Sequence, residues 1–345
     1  MMSGCCVRFL LTFSIVLFLF PPETKKYPKL GTVFNLLSWL IIAATIIGGP
    51  LTIVVKDSLF TTIPTSSKVV YDISLLFLFM SNICISLVAI FKKNELREAM
   101  NELIKTTSYC KRFNTYFSVF LFILIVNTFF IILTQLKRTK DEYYRLTVFV
   151  GEGFMTCRIV TYLFIIFLLI NSARRKARRF NETLLKSICH KRSRLIYNNI
   201  SDFVEKINNL FGITLLLIIY FFISNFLRHA VYISLNYTSF LITIVRGLWI
   251  ISYGFQAIYL AHVGDDLSKE TKITISTCYK MIHKAYFMDN YGYNDIYLLA
   301  QEASHRKLTV SAFGFFNIDN TMIMFIMTNL CTYLIVVLQV LQKNM

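Results

Sequence analysis

Apolar positions in this chain gather into long unbroken runs separated by short polar stretches, with neither the alternation of a half-buried strand nor the stripe of a surface helix. Seven runs are long enough to cross a bilayer, at 31–55, 69–91, 116–136, 146–170, 210–228, 238–263 and 319–341. A spanning helix needs about 20 apolar residues, because ~30 Å of hydrocarbon is crossed at ~1.5 Å per residue. The pattern therefore predicts an all-α integral membrane protein with seven transmembrane helices. Gly48, Gly49 and Pro50 are expected to kink or end the first span near its outer end. A shorter run, 9–20, follows Arg8 and stops at Pro21. It is too short to span and has no small-residue cleavage site after it, so it reads as an interfacial or re-entrant helix.

Composition sharpens this reading. Of 345 residues, 56% are hydrophobic and 16% charged, and the sequence holds 32 Phe and 19 Tyr. A soluble domain has about 25% charged residues. An ordinary cytosolic enzyme and a disordered chain are both excluded.

The net charge of +17 would suggest nucleic acid in a soluble protein. Here its distribution along the chain gives it another meaning. With seven spans the loops alternate between two sides, and 26 of the 36 basic residues fall on one side against eight on the other. Arg174, Arg175, Lys176, Arg178 and Arg179 dominate the basic side. Basic loops stay in the cytoplasm, so the N-terminus is predicted to be cytoplasmic and the C-terminus extracellular. The charge then calls for no nucleic acid; the Arg174–Arg179 cluster suits anionic membrane lipid instead. This orientation, and the lack of a D-R-Y-like triplet or an N-P-x-x-Y, argue against a G-protein-coupled receptor.

Three N-x-[ST] triplets occur. Only Asn236, in Asn236-Tyr-Thr238, falls in a predicted external loop where glycosylation is chemically accessible; Asn181 and Asn199 fall on the cytoplasmic side. None of the eight cysteines falls in a predicted external loop, and no spacing suggests zinc. Cys5 and Cys6 read as reduced thiols or an acylation site. His262-Val-Gly-Asp265-Asp266 superficially resembles a metal box, but one His with two acids reads as a solvated helix end. No metal or other cofactor is expected.

The last run ends in a polar stripe. Thr332, Val336 and Gln339 are four and three residues apart and share one helical face. An amide in hydrocarbon must face a partner helix or water, so Gln339 marks either an interhelical contact or a pore. In the outer halves of the earlier spans, polar and aromatic positions form a candidate ligand pocket: Tyr71, Asp72, Gln135, Glu152, Arg246, Trp249, Tyr253 and Gln256. Aromatic faces suit flat ligands, and a few polar groups fix their orientation. Arg158 and Arg246 lie within spans and must pair or reach water; a structural pair such as Glu152 with Arg246 is the competing reading. Trp249 fits core packing as well as a ligand platform.

At the C-terminus the chain resembles a known family. Thr332-Tyr333-Leu-Ile-Val-Val-Leu-Gln339 is similar to the TYhhhhhQF signature in the last span of insect gustatory receptors, with Val340 in place of the closing Phe. The approach to that span, from His305 through Gly314 and Phe316 to Asp319, also looks like that family's. The resemblance implies a tetrameric ligand-gated cation channel, a homo- or hetero-oligomer of such subunits in the plasma membrane of sensory neurons, and not an enzyme. Monovalent and divalent cations would pass through it and a small-molecule tastant would open it. Residues 1–30 would form a cytoplasmic segment, 31–263 the six helices around the pocket, 264–318 a cytoplasmic anchor and 319–345 the pore helix. Thr332, Tyr333, Val336 and Gln339 would face the pore or the neighbouring pore helices. Leu338 and Val340 would form a hydrophobic constriction, since an apolar ring closes a pore by dewetting. Leu334 follows the Tyr where sugar receptors of the family often carry an acid, which favours bitter or plant compounds. An odorant-receptor subunit and a membrane transporter are the alternatives.

Overall fold

A computed structural model of the chain describes residues 28–59, 65–107, 142–184, 190–234, 240–286 and 293–343. Within them eight helices are found: α1 (Pro28–Leu59), α2 (Thr65–Phe91), α3 (Lys93–Thr107), α4 (Glu142–Leu184), α5 (His190–Ser234), α6 (Phe240–Tyr286), α7 (Tyr293–His305) and α8 (Asn320–Lys343). Two short strands, β1 (Ser311–Ala312) and β2 (Phe316–Asn317), pair antiparallel between α7 and α8. The predicted third span with Gln135, the glycosylation site Asn236, and Cys5 and Cys6 lie outside the described residues.

Among the described residues, α2, α4, α5 and α8 each carry an apolar stretch long enough to cross a membrane, and α1 carries a shorter one over Thr32–Ile47. The Gly48-Gly49-Pro50 step does not end the first helix, which runs on to Leu59. Membrane helices tolerate such residues because neighbouring groups re-satisfy the freed backbone.

Helices α4, α5 and α6 are much longer than a bilayer requires, at 43, 45 and 47 residues. What the sequence presents as polar loops after the fourth and sixth apolar runs is therefore partly helix: Arg174–Arg179 extends α4, and Asp265 through Tyr286 extends α6. Arg, Lys and Glu are good helix formers, so leaving hydrocarbon does not require leaving the helix. These extensions, with α7 and the hairpin, build a second packed layer at the basic end of the molecule. A continuous core joins both layers, with Ile165, Ile166, Leu169, Ile170 and Ala173 fully buried along α4 and Ile207, Phe211, Leu215 and Ile218 along α5.

The embedded arginine of α4 is accommodated by neutral partners. Arg158 is fully buried and donates to Ser86 Oγ at 2.8 Å and Asn82 Oδ1 at 3.3 Å, both on α2. Asn181, predicted to stay unmodified, is buried between helices and engaged in hydrogen bonds.

Candidate functional site

Helix α8 stands apart from the others in how little of it is covered. Only 17% of its apolar stretch is buried, against 78% for α4 and 72% for α5. The helix divides lengthwise. Ile326, Leu330, Leu334 and Val337, spaced by four, four and three, turn toward the bundle core. Thr332, Val336 and Gln339 are exposed on the far side, and Tyr333 is exposed at the edge of the buried stripe. Thr332 satisfies its hydroxyl on the carbonyl of Thr328 at 2.9 Å, as a hydroxyl in an apolar setting must. The side chains of Leu338 and Val340 lie outside the described residues.

The base of α8 is fixed by the segment before it. Asp319 caps the helix, accepting from Thr321 N at 2.8 Å. Asn320 donates to Asp265 of α6 at 2.8 Å. A Cβ on Gly264 would lie 1.8 Å from the carbonyl oxygen of Ile318, so only glycine permits this approach of chain to helix. A Cβ on Gly212 of α5 would similarly meet Phe313 N at 3.0 Å. The hairpin turn needs left-handed backbone at both Phe313 (φ 53°) and Gly314 (φ 78°) and closes through Phe315 N donating to Ala312 O at 3.0 Å. Phe316 stacks on Phe325 of α8 at 5.0 Å.

The segment read as a solvated helix end is thus mid-helix and structural. Asp265 and Asp266 are half-buried and pair with Lys269, Arg174 and Asn320. Helix α6 continues past them, so their partners come from α4 and from the start of α8. The two Asp carboxylates also hold the Lys269 ammonium above its ordinary pKa. Burial pushes the Cys278 thiol, further along α6, up to about 11, so it is an unreactive packing group.

At the opposite end, α2, α4, α5 and α6 bring several predicted ligand residues together. Tyr71 donates its hydroxyl to Glu152 at 2.6 Å. Trp249 lies 5.4 Å from Tyr253, and Tyr253 sits against Phe221 and Phe222 at 5.9 and 5.3 Å. Gln256 donates to Ser252 at 3.3 Å, one turn further along the helix. Asp72 is half-buried, about 100° around α2 from Tyr71, and Arg246 is half-buried three residues before Trp249. Two residues the sequence reading passed over join them. Arg228 places its guanidinium 5.1 Å from the centre of the Tyr71 ring, and His229 stacks on Trp249 at 6.0 Å. Their signal was positional: Phe222, Asn225, Phe226 and His229 recur at helical spacing, which puts His229 on the face that presents the Phe222 ring.

Over residues 7–344 the chain matches the family model of the 7tm chemosensory receptors. The chain belongs to the 7tm chemosensory receptor family. Its fold is that of an insect olfactory receptor. The receptor OR5 from Machilis hrabei in complex with eugenol superposes with a TM-score of 0.73 at 13% identity, over 98% of this chain and 99% of that one. A second structure of OR5 superposes with a TM-score of 0.67 at 14% identity, over 96% of this chain and 98% of that one. No curated protein matches this receptor in sequence. Family and structural neighbours alike are chemosensory receptors rather than enzymes.

Proposed function

We propose that this receptor is a gustatory receptor subunit: a ligand-gated, non-selective cation channel of the plasma membrane, opened by bitter or plant-derived compounds rather than sugars. The observation that carries the reading is the bare face of α8. A helix with Thr332, Tyr333, Val336 and Gln339 exposed together needs a partner or water, because an amide in hydrocarbon is costly. Four copies arranged around that face, as a homo- or hetero-tetramer, supply both, with Gln339 toward the ion path. Residues 264–318 then act as the cytoplasmic anchor and the aromatic cluster at the other end as the tastant pocket. Leu334, in place of an acid after Tyr333, supports the preference against sugars.

A ligand opens such a channel by the difference between its affinities for the open and closed forms. Movement of α6 at the pocket would reach α8 through the Gly264–Ile318 and Asp265–Asn320 contacts. An odorant-receptor role is the second reading, favoured by the likeness to OR5, whose structure holds eugenol. Expression of the chain, alone and with candidate co-receptor subunits, tests both under G-protein blockade with sugars, bitter compounds and volatile aromatics. The proposal expects a cation current evoked by bitter compounds. A current evoked by volatiles alone would favour the odorant role, and a response abolished by the blockade would refute the channel.

A further inference from the structure

His229 is nine-tenths buried, yet among the described residues neither ring nitrogen has a hydrogen-bond partner. Imidazole always presents polar nitrogens, and in its neutral form one donates and the other accepts. A buried polar group left unmatched is destabilising, and a Phe of similar shape would remove that cost. The ring is therefore a poor choice as mere filler.

Its surroundings indicate what would match it. One face of the ring stacks on Trp249 at 6.0 Å with the planes 19° apart. Trp249 continues to Tyr253, and Tyr253 to Phe221 and Phe222, so the ring ends a row of aromatics shared by α5 and α6. Among the described residues these rings meet by stacking, tilted and edge contacts, so a gap can open in the row with little hydrogen-bonding to break. Two cations, Arg228 and Arg246, lie within electrostatic reach of His229, which suits an electron-rich oxygen beside it. A flat apolar body would be held by the rings, and a hydroxyl on it would meet His229 as donor or acceptor, whichever tautomer is present. A pure hydrocarbon would leave the nitrogens unmatched.

We propose that His229 is the polar recognition residue of the outer site and that the site takes aromatic alcohols, the hydroxyl pairing with an imidazole nitrogen and the ring joining the Trp249–Tyr253 row. This rests on the reading of that cluster as the ligand pocket.

The test uses full-length receptor in nanodiscs and matched probes that differ by hydroxyl against methyl: 2-naphthol against 2-methylnaphthalene, and 4-ethylphenol against 4-ethyltoluene. Binding is read as the ligand-induced rise in unfolding temperature, and gating as current in cells. Wild type should bind the hydroxyl members about tenfold more tightly, the worth of one well-made hydrogen bond. His229→Phe should erase that preference while leaving the methyl members' affinity unchanged, and its ligand-free form should unfold no earlier than wild type. His229→Gln, which restores a donor and an acceptor, should recover part of the preference and serves as the working variant if His229→Phe does not fold. Equal binding of both probe classes by wild type, no binding of any probe, a preference that survives undiminished in His229→Phe, or His229→Gln matching wild type in full would overturn the inference. Hydroxyl-selective binding with no evoked current would leave the inference standing and count against the channel reading instead.

Discussion

The two ends of this receptor are held together by different chemistry. At the basic end the helices are cross-linked by directional polar contacts. Arg174 pairs with Asp266 at 2.8 Å, Arg306 with Asp202 at 2.6 Å and Arg194 with Glu302 at 2.5 Å. Buried Asn181 donates to Glu270 at 2.9 Å and accepts from Thr274 at 2.6 Å. Asn208 of α5 clasps the chain before the hairpin twice, donating to Thr309 O and accepting from Ser311 N. At the other end, aromatic contacts around Trp249 and Tyr253 lie beside directional ties such as Tyr71–Glu152 and Ser74–Asn225, and His229 has no hydrogen-bond partner among the described residues. Exposed ion pairs contribute little each, whereas satisfied buried networks specify one arrangement. In the proposed function, one end keeps a single geometry and the other changes its packing around a guest.

Substitutions break this contrast in a graded way. The largest effect is expected at Gly264→Ala. Its Cβ would lie 1.8 Å from a backbone oxygen of Ile318, and no side-chain rotation relieves that, so destabilisation should reach the upper part of the ~1–3 kcal/mol overpacking range or exceed it. It is measured as unfolding temperature and surface expression. Next comes Asn181→Leu, which takes the amide donor from the buried Glu270 carboxylate for about 1–3 kcal/mol while Thr274 keeps its bond to the Glu270 carbonyl, read from the same unfolding curve. Asp319→Ala removes the cap at the base of α8 and should cost about 1 kcal/mol; its sharper readout is a changed open probability, because the base of the proposed pore helix loosens. Tyr71→Phe should be the mildest for stability, about 0.5–1.5 kcal/mol for one partly buried hydrogen bond, while shifting the ligand dose–response. If Tyr71→Phe destabilised as strongly as Gly264→Ala, the contrast between the two ends would fail.

Hydropathy alone was enough to read the apolar stretches of α2, α4, α5 and α8, because burial in lipid demands a long apolar run whatever its neighbours. It could not reveal that α4, α5 and α6 continue as helices beyond those runs, since polar helix extensions have no hydropathic mark. Thr332, Val336 and Gln339 share a face that helical spacing predicted, and all three are exposed in the fold. Gly264 and Asp265 were read as a solvated end because their partners, Ile318 and Asn320, are more than fifty residues away in sequence. Tyr71, Trp249 and Tyr253 stood out as aromatics in outer halves of spans. His229 did not, since an isolated histidine acquires meaning only from what surrounds it in three dimensions.

The central claim, that the exposed face of α8 borders an ion path, is tested most directly by reversal potentials of ligand-evoked current from Gln339→Glu and Gln339→Ala receptors under bi-ionic conditions. A carboxylate at that position should raise calcium permeability relative to sodium, and alanine should alter conductance or the ease of opening. Permeability ratios and gating identical to wild type in both variants would remove Gln339 from the pore and, with it, this account of α8.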